Sequence, residues 1–198
     1  MTKVITFYNQ KGGVGKTTSA FFFASYLSVL KSKKVAILDT DAQQSSFGIV
    51  ALAEQNEIDH GFVVYTDIDE VPDGLDYLIV DVGGQISSWH ETSDIVVIPA
   101  RPHFLELHST HDVLDDIKAP VFKFFLTNRR DVEEAETIEN LKKEGFKDSI
   151  SMRSIIPRLT SGGGSLWKHR VPSGRRYGLS EAKEEYAELF RKILKVAK

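Results

Sequence analysis

Residues Lys11 to Thr18 read Lys-Gly-Gly-Val-Gly-Lys-Thr-Thr and follow directly on the apolar run Val4-Ile5-Thr6-Phe7-Tyr8. Gly12, Gly13 and Gly15 let the backbone aim several N–H groups at one point, which suits a phosphate. A helix opening near Lys16 adds the positive end of its dipole. Lys16 brings a point charge for the β- and γ-phosphates, and Thr17 brings a hydroxyl for Mg²⁺. The general phosphate-loop pattern asks for a glycine where Gln10 or Lys11 stands, so the loop is a variant that begins on lysine.

Two acidic motifs fit the same chemistry. Val35-Ala36-Ile37-Leu38 reads as a buried strand that ends in Asp39-Thr40-Asp41-Ala42-Gln43. Acidic residues at the carboxyl end of a parallel strand face the crevice where ligands bind. Asp39 and Asp41, at i and i+2, share one side of the extended chain. One can hold Mg²⁺ through water while the other orients an attacking water. Tyr77-Leu78-Ile79-Val80-Asp81 repeats the theme, with an Asp at a strand end near Mg²⁺, in the Walker B manner. Gly83-Gly84 behind it offers a backbone N–H toward a γ-phosphate.

These residues need a scaffold that brings strand ends together. Apolar runs at Val4–Tyr8, Val35–Leu38, Leu78–Val82, Ile95–Ile98 and Val121–Leu126 are short and nearly all apolar, as strands buried on both faces are. A sixth strand is expected at Ser154–Ile156. Helices are expected over Thr17–Lys31, Glu106–Ile117 and Glu133–Lys143, and from about Ser180 to the C-terminus. The last shows Tyr186, Leu189, Phe190, Ile193 and Leu194 on one face, and Phe21-Phe22-Phe23 reads as core. Alternation of this kind predicts an α/β fold, a doubly wound, mostly parallel sheet with helices on both faces. The 198 residues suffice for one such domain, 1–198. Pro157 to Gly178, with Gly162-Gly163-Gly164, reads as a long irregular loop of functional type.

Composition narrows the classes. The chain has no cysteine, which removes disulfides, thiolate metal sites and cysteine nucleophiles. No apolar stretch approaches the roughly 20 residues of a membrane span. No secretory signal is visible, so a cytoplasmic protein is expected. The net charge of −3 argues against a uniformly basic nucleic-acid binder. Yet residues 151 to 178 carry Arg153, Arg158, Lys168, Arg170, Arg175 and Arg176 with no Asp or Glu among them. A local basic surface of this kind can bind phosphate backbones.

Lys11-Gly12-Gly13-Val14-Gly15-Lys16-Thr17-Thr18, then Asp39-Thr40-Asp41-Ala42-Gln43, then Ile79-Val80-Asp81 occur in the order of the ParA/MinD family of deviant Walker A P-loop ATPases. The chain resembles that family over most of its length, and in its small size the short plasmid-partition ParA (ParF-like) proteins. The resemblance implies ATP and Mg²⁺ as cofactors and Lys11 as the signature lysine, reaching across an ATP-bound homodimer to the partner's phosphates. It places nucleotide on Lys11, Gly12, Gly13, Val14, Gly15, Lys16, Thr17 and Thr18, and chemistry on Lys11, Lys16 and Asp41. Asp41 matches the residue that activates water; Thr17, Asp39 and Asp81 match the metal-linked positions. Asn128 is similar to the adenine-contacting position, and Pro157 to the loop lining base and ribose. Departures lie after Asp81, where Val82-Gly83-Gly84 replaces the usual prolines, at Arg101, and over Gly162–Arg176.

The resemblance also implies a nucleoid-associated partition ATPase with non-specific DNA binding and hydrolysis stimulated by a ParB-like or cargo-adaptor partner. The DNA surface is expected at Lys168, Arg170, Arg175 and Arg176, with Lys192, Lys195 and Lys198 adding charge and Trp167 and Tyr177 flanking it. Alternatives are a positioning ATPase for a protein or membrane cargo, MinD-like, and a metabolic ATP-dependent synthetase. The glutamates of the last helix oppose an anionic membrane, so membrane attachment is not expected. His108, His111 and Asp112 read as a polar helix surface rather than a metal site.

Overall fold

Strands β1 (Lys3–Phe7), β2 (Val35–Asp39), β3 (Val63–Tyr65), β4 (Tyr77–Asp81), β5 (Ile95–Ala100), β6 (Val121–Thr127) and β7 (Asp148–Ser151) pair into one sheet in a computed structural model. The structure describes residues 1–83, 89–102, 117–127 and 134–197. The strand order is β3-β2-β4-β1-β5-β6-β7, and every pairing is parallel. The helices are α1 (Lys16–Ser25), which runs on as a π-helical turn over Tyr26–Leu30, α2 (Ser45–Gln55), α3 (Trp89–Thr92), α4 (Glu134–Lys143), α5 (Ile155–Thr160) and α6 (Leu179–Val196).

Successive strand residues point to opposite faces, and both faces are apolar. Ile5, Phe7, Ile37, Ile79, Val97 and Phe124 join the core beneath α1 and α6. Ala36, Leu38, Leu78, Val80, Val96 and Ile98 join the opposite core with Leu141 of α4. That is why the strands read as unbroken apolar runs rather than alternating ones.

Helix α1 is buried nearly all round, and Phe21, Phe22 and Phe23 are fully enclosed. Its aromatic rings clasp α6: Phe22 meets Tyr186 at 5.4 Å and Phe23 meets Phe190 at 4.9 Å between centroids. Tyr186, Leu189, Phe190 and Ile193 of α6 are buried in the same core. Trp167 packs on Tyr26 at 5.4 Å. The ordering of α1, which begins at the end of the glycine-rich loop, is therefore secured by the far end of the chain.

Two expectations are corrected. Ser154–Ile156 is not a strand: Ile155 opens α5, and the strand at that edge is Asp148–Ser151. As an edge strand, β7 covers only one neighbour and carries Asp148, Ser149 and Ser151, so it lacks an apolar run. The stretch from Pro157 is likewise not all irregular, since Pro157 to Thr160 belong to α5. Its glycines are packed: Gly163 has φ +70°, and an added Cβ would lie 2.2 Å from the Ala53 amide nitrogen of α2. The Gly163 carbonyl also accepts from buried His60 Nε2 at 2.7 Å. The helix expected at Glu106–Ile117, with His108, His111 and Asp112, lies almost wholly outside the described residues.

Candidate active site

The parallel register collects the motifs. β4 lies between β2 and β1, and Asp81 is level with Asp39 on one side and Phe7 on the other. The loop after Phe7 and both carboxylates thus emerge side by side at the carboxyl ends of three adjacent strands, the position for ligands in such sheets.

Gly15 takes φ +94° where the loop enters α1, and an added Cβ would press on Leu126 Cδ1 at 3.0 Å. Both facts restrict that position to glycine. Lys16 is 6% exposed and donates from Nζ to the Lys11 carbonyl at 2.9 Å. Burial lowers its pKa, against the charges of Asp81 and Asp41. Asn9, buried beneath the loop, accepts from the Lys11 N–H at 3.0 Å and donates to the Pro99 carbonyl at 2.8 Å. The start of the loop is thereby tied to β5.

The carboxylates divide. Asp39 is buried and accepts from the backbone N–H groups of Asp41 (3.1 Å), Ser46 (2.9 Å) and Phe47 (3.1 Å). It caps the N-terminus of α2, where a negative charge is favourable. Asp81 is fully enclosed; its Oδ2 accepts from Ser46 Oγ at 2.7 Å and its Oδ1 has no hydrogen-bond partner. Burial pushes its carboxyl up to about 7, against hydrogen bonding from Ser46, with the Asp39 charge pushing the same way. Asp41 is half-exposed, and its Oδ1 accepts from the Gln43 N–H at 2.9 Å. Gly83 lies against it: an added Cβ there would sit 3.2 Å from Asp41 Cα.

A cleft of about 740 Å³ opens over this group, lined by Gly12, Gly13, Gly15, Lys16, Thr17, Thr18 and Asp41. Pro157, Thr160 and Ser161 form its far wall. The structure therefore brings the loop, Asp41 and Pro157 to one cleft, while Asp39 and Asp81 are buried at the ends of the neighbouring strands and do not line it. Asn128 lies outside the described residues. Ser46 was not singled out from sequence, although it bridges both buried carboxylates; nothing local marks it among neighbouring serines. Arg101 also lines the cleft, a placement legible from its position just past the carboxyl end of β5.

The fit to Mg²⁺ can be judged from the donors. Thr17, Asp39, Asp41 and Asp81 supply hard oxygens, and the partnerless Oδ1 of Asp81 is a buried acceptor in want of a cation or donor. Among the described residues no three acidic or imidazole side chains converge into a protein-only cage. Mg²⁺ does not need one, since it is held through one or two carboxylates together with phosphates and water.

Asp81 carries a pH prediction. Its folded pKa, about 7, lies above its ordinary 3.8, so the stability it contributes is complete below about pH 4 and lost as pH rises through 7. Asp81→Asn cannot ionise. Without ligand, it should gain stability over wild type as pH climbs from 5 to 8, by at most about 3 kcal/mol over that window, read as a growing difference in melting temperature. A melting-temperature difference that is flat over that window would refute the burial of charge at Asp81.

The expected DNA residues lie apart from the cleft. Lys168, Arg170, Arg175 and Arg176 are all exposed. Arg170 pairs with Glu57 at 2.7 Å, and Arg176 Nε donates to the Val171 carbonyl at 2.8 Å. Lys192 is occupied by Asp148 and Glu188 at 2.6 and 3.0 Å, so it adds little to a basic surface. Trp167 is a packing residue, whereas Tyr177 is 91% exposed.

Residues 2–65 match the AAA domain family model. The chromosome-partitioning ATPase Soj of Treponema pallidum is 47% identical over 53 residues, 27% of this chain and 21% of that protein. The matched stretches make up only 17% and 21% of the curated relatives. Over the whole chain the likeness is one of fold. A plasmid partition protein from Borrelia burgdorferi bound to AMPPNP superposes with TM-score 0.72 at 22% identity, covering 98% of this chain and 100% of that one. The septum site-determining protein MinD from Pyrococcus horikoshii, complexed with Mg-ADP, superposes with TM-score 0.67 at 16% identity, covering 100% and 98%. The all-parallel sheet with its helices is the fold that these partition and MinD structures share.

Proposed function

We propose that this chain, with the fold of the ParA/MinD ATPases and their phosphate-loop sequence, is a Mg²⁺-dependent ATPase that acts as an ATP-driven dimerisation switch in DNA partition. The observation that carries this is the gathering of Lys16, Thr17 and Asp41 on one cleft, beside the adjacent strand ends that carry the buried Asp39 and Asp81. The loop N–H groups and the α1 terminus receive the ATP phosphates. Lys16 exchanges the Lys11 carbonyl for phosphate oxygens. Thr17, Asp39 and Asp81 are the residues that would hold Mg²⁺, Asp39 and Asp81 through water. When bound, Mg²⁺ neutralises charge on the transferring phosphoryl group.

Asp41, at the open edge of the cleft, orients the attacking water. Lys11 of a second copy supplies positive charge in trans, so dimer formation gates hydrolysis. The ATP-bound dimer holds DNA through Lys168, Arg170, Arg175 and Arg176 in the nucleoid. A ParB-like partner stimulates hydrolysis and releases it. Among the described residues no helix is long and apolar enough to cross a membrane, and the apolar face of α6 is spent on the core.

ATP-dependent DNA retention tests this. A fluorescent duplex titrated with protein and Mg-ATP should bind regardless of sequence, lose binding with ADP, and weaken steeply with salt. Arg175→Glu with Arg176→Glu should lower affinity at least tenfold without altering nucleotide affinity. Equal DNA binding with ATP, ADP and no nucleotide would defeat the switch.

A further inference from the structure

Ser161 faces two cavities. With Pro157 and Thr160 it lines the nucleotide cleft, and behind α5 it lines a second cavity of about 350 Å³. Arg158 of α5 and His169, Arg170 and Arg175 surround this second cavity, and Asn56, at the end of α2, adds an amide. No carboxylate is among its lining residues. Gly164 brings the wall close, since an added Cβ would lie 3.0 Å from the His169 Cβ.

The charge here is poorly neutralised. Among the described residues Arg158 and Arg175 have no carboxylate partner, and the Arg170–Glu57 pair is widely exposed, at 58% and 80%. Exposed pairs of this kind are worth little and exchange readily. Burial holds His169 and Lys183 below their ordinary values, and the Arg176 charge pushes both the same way.

We propose that this cavity is a second anion site, which seats one phosphodiester group of a DNA backbone between Arg158, Arg170 and Arg175. The proposal rests on the DNA-binding reading above and adds to it a defined seat and a residue, Arg158, on the wall shared with the nucleotide cleft. The cavity lacks the glycine loop and helix terminus of the nucleotide site. It lies beside the exposed Arg176 and Tyr177. A run of phosphates can follow that surface, whereas a lone small anion would use the cavity only. Arginine suits the seat because its planar fork matches two phosphate oxygens.

Duplex binding by the full chain with Mg-ATP, measured by anisotropy over a salt series, tests the seat. Arg158→Ala should weaken binding about tenfold for unrelated sequences and reduce the salt slope by about 0.9, the share of one phosphate contact. Arg158→Lys should keep the slope. Nucleotide affinity and melting temperature should match wild type in both. Wild-type affinity and slope in Arg158→Ala, alongside lost binding in the Arg175/Arg176 variant, would overturn the seat while leaving the outer DNA surface standing. No duplex binding by wild type would overturn the DNA reading itself. Inorganic phosphate at constant ionic strength serves as competitor: it should displace duplex from wild type more than from Arg158→Ala, and phosphate that binds in an Arg158-dependent way without displacing duplex would make the cavity a small-anion site and overturn the commitment to DNA.

Discussion

Lys11→Ala should lower dimer-dependent ATP turnover by about three to five orders of magnitude while ATP affinity stays within about tenfold of wild type, as loss of a charge supplied in trans does. The separation of the two effects follows from how the loop is held. The Lys11 N–H rests on Asn9 Oδ1 at 3.0 Å and its carbonyl takes the Lys16 ammonium at 2.9 Å. Both contacts use backbone atoms of Lys11, so they survive truncation of its side chain. Asn9 in turn is anchored on the Pro99 carbonyl of β5. The loop's backbone geometry should therefore persist while the trans charge disappears. Phosphate release across a protein concentration series, paired with fluorescent-ATP titration, measures both. Turnover unchanged at high protein concentration would remove the trans-lysine mechanism. A parallel loss of ATP affinity would instead assign Lys11 to binding within its own chain.

Asp41→Ala should slow hydrolysis by about two to four orders of magnitude, the usual worth of a positioned base, and leave an ATP-bound dimer that accumulates. Asp41 has little structural work to lose. It is half-exposed, and its Oδ1 accepts one local hydrogen bond, from the Gln43 N–H at 2.9 Å. By contrast Asp39 holds three backbone N–H groups at the head of α2, and Asp81 is locked to Ser46. Removing Asp41 leaves that floor intact, so nucleotide and Mg²⁺ should still bind. Light scattering after size exclusion, with and without ATP, reads the outcome. A variant that binds ATP yet stays monomeric would show that Asp41 serves assembly rather than water activation.

The contrast between the two neighbouring aspartates shows where the sequence stopped. Asp39 and Asp41 were legible as a pair at a strand end; Asp41 lines the cleft and Asp39 is buried beside it. Their division of labour was not legible, because it depends on α2 folding back so that Ser46 and Phe47 donate to Asp39. That helix has no polar face to betray it, and Phe47 and Leu52 remain exposed on it. Edge strands failed for a related reason: β3 has three residues and β7 is polar, so neither carries a pattern. Arg170 looked like a free cation in sequence and proves to be paired with Glu57, 113 residues away.

By itself the sequence determined the glycine-rich loop after the first strand, the strand-end carboxylates and the parallel α/β architecture. These are local matters: glycine freedom, a lysine and a hydroxyl in consecutive positions, and apolar runs that demand burial on both faces. The tertiary structure alone decided that Ser46 bridges Asp39 and Asp81, that Asp81 is enclosed deeply enough to hold its proton near neutrality, and that Gly163 seats the basic segment against α2. It alone placed Arg158, His169, Arg170 and Arg175 around one cavity behind the cleft at the strand ends. Burial and charge are set by groups far apart along the chain, and their fields and contacts exist only once the sheet has set its strands side by side.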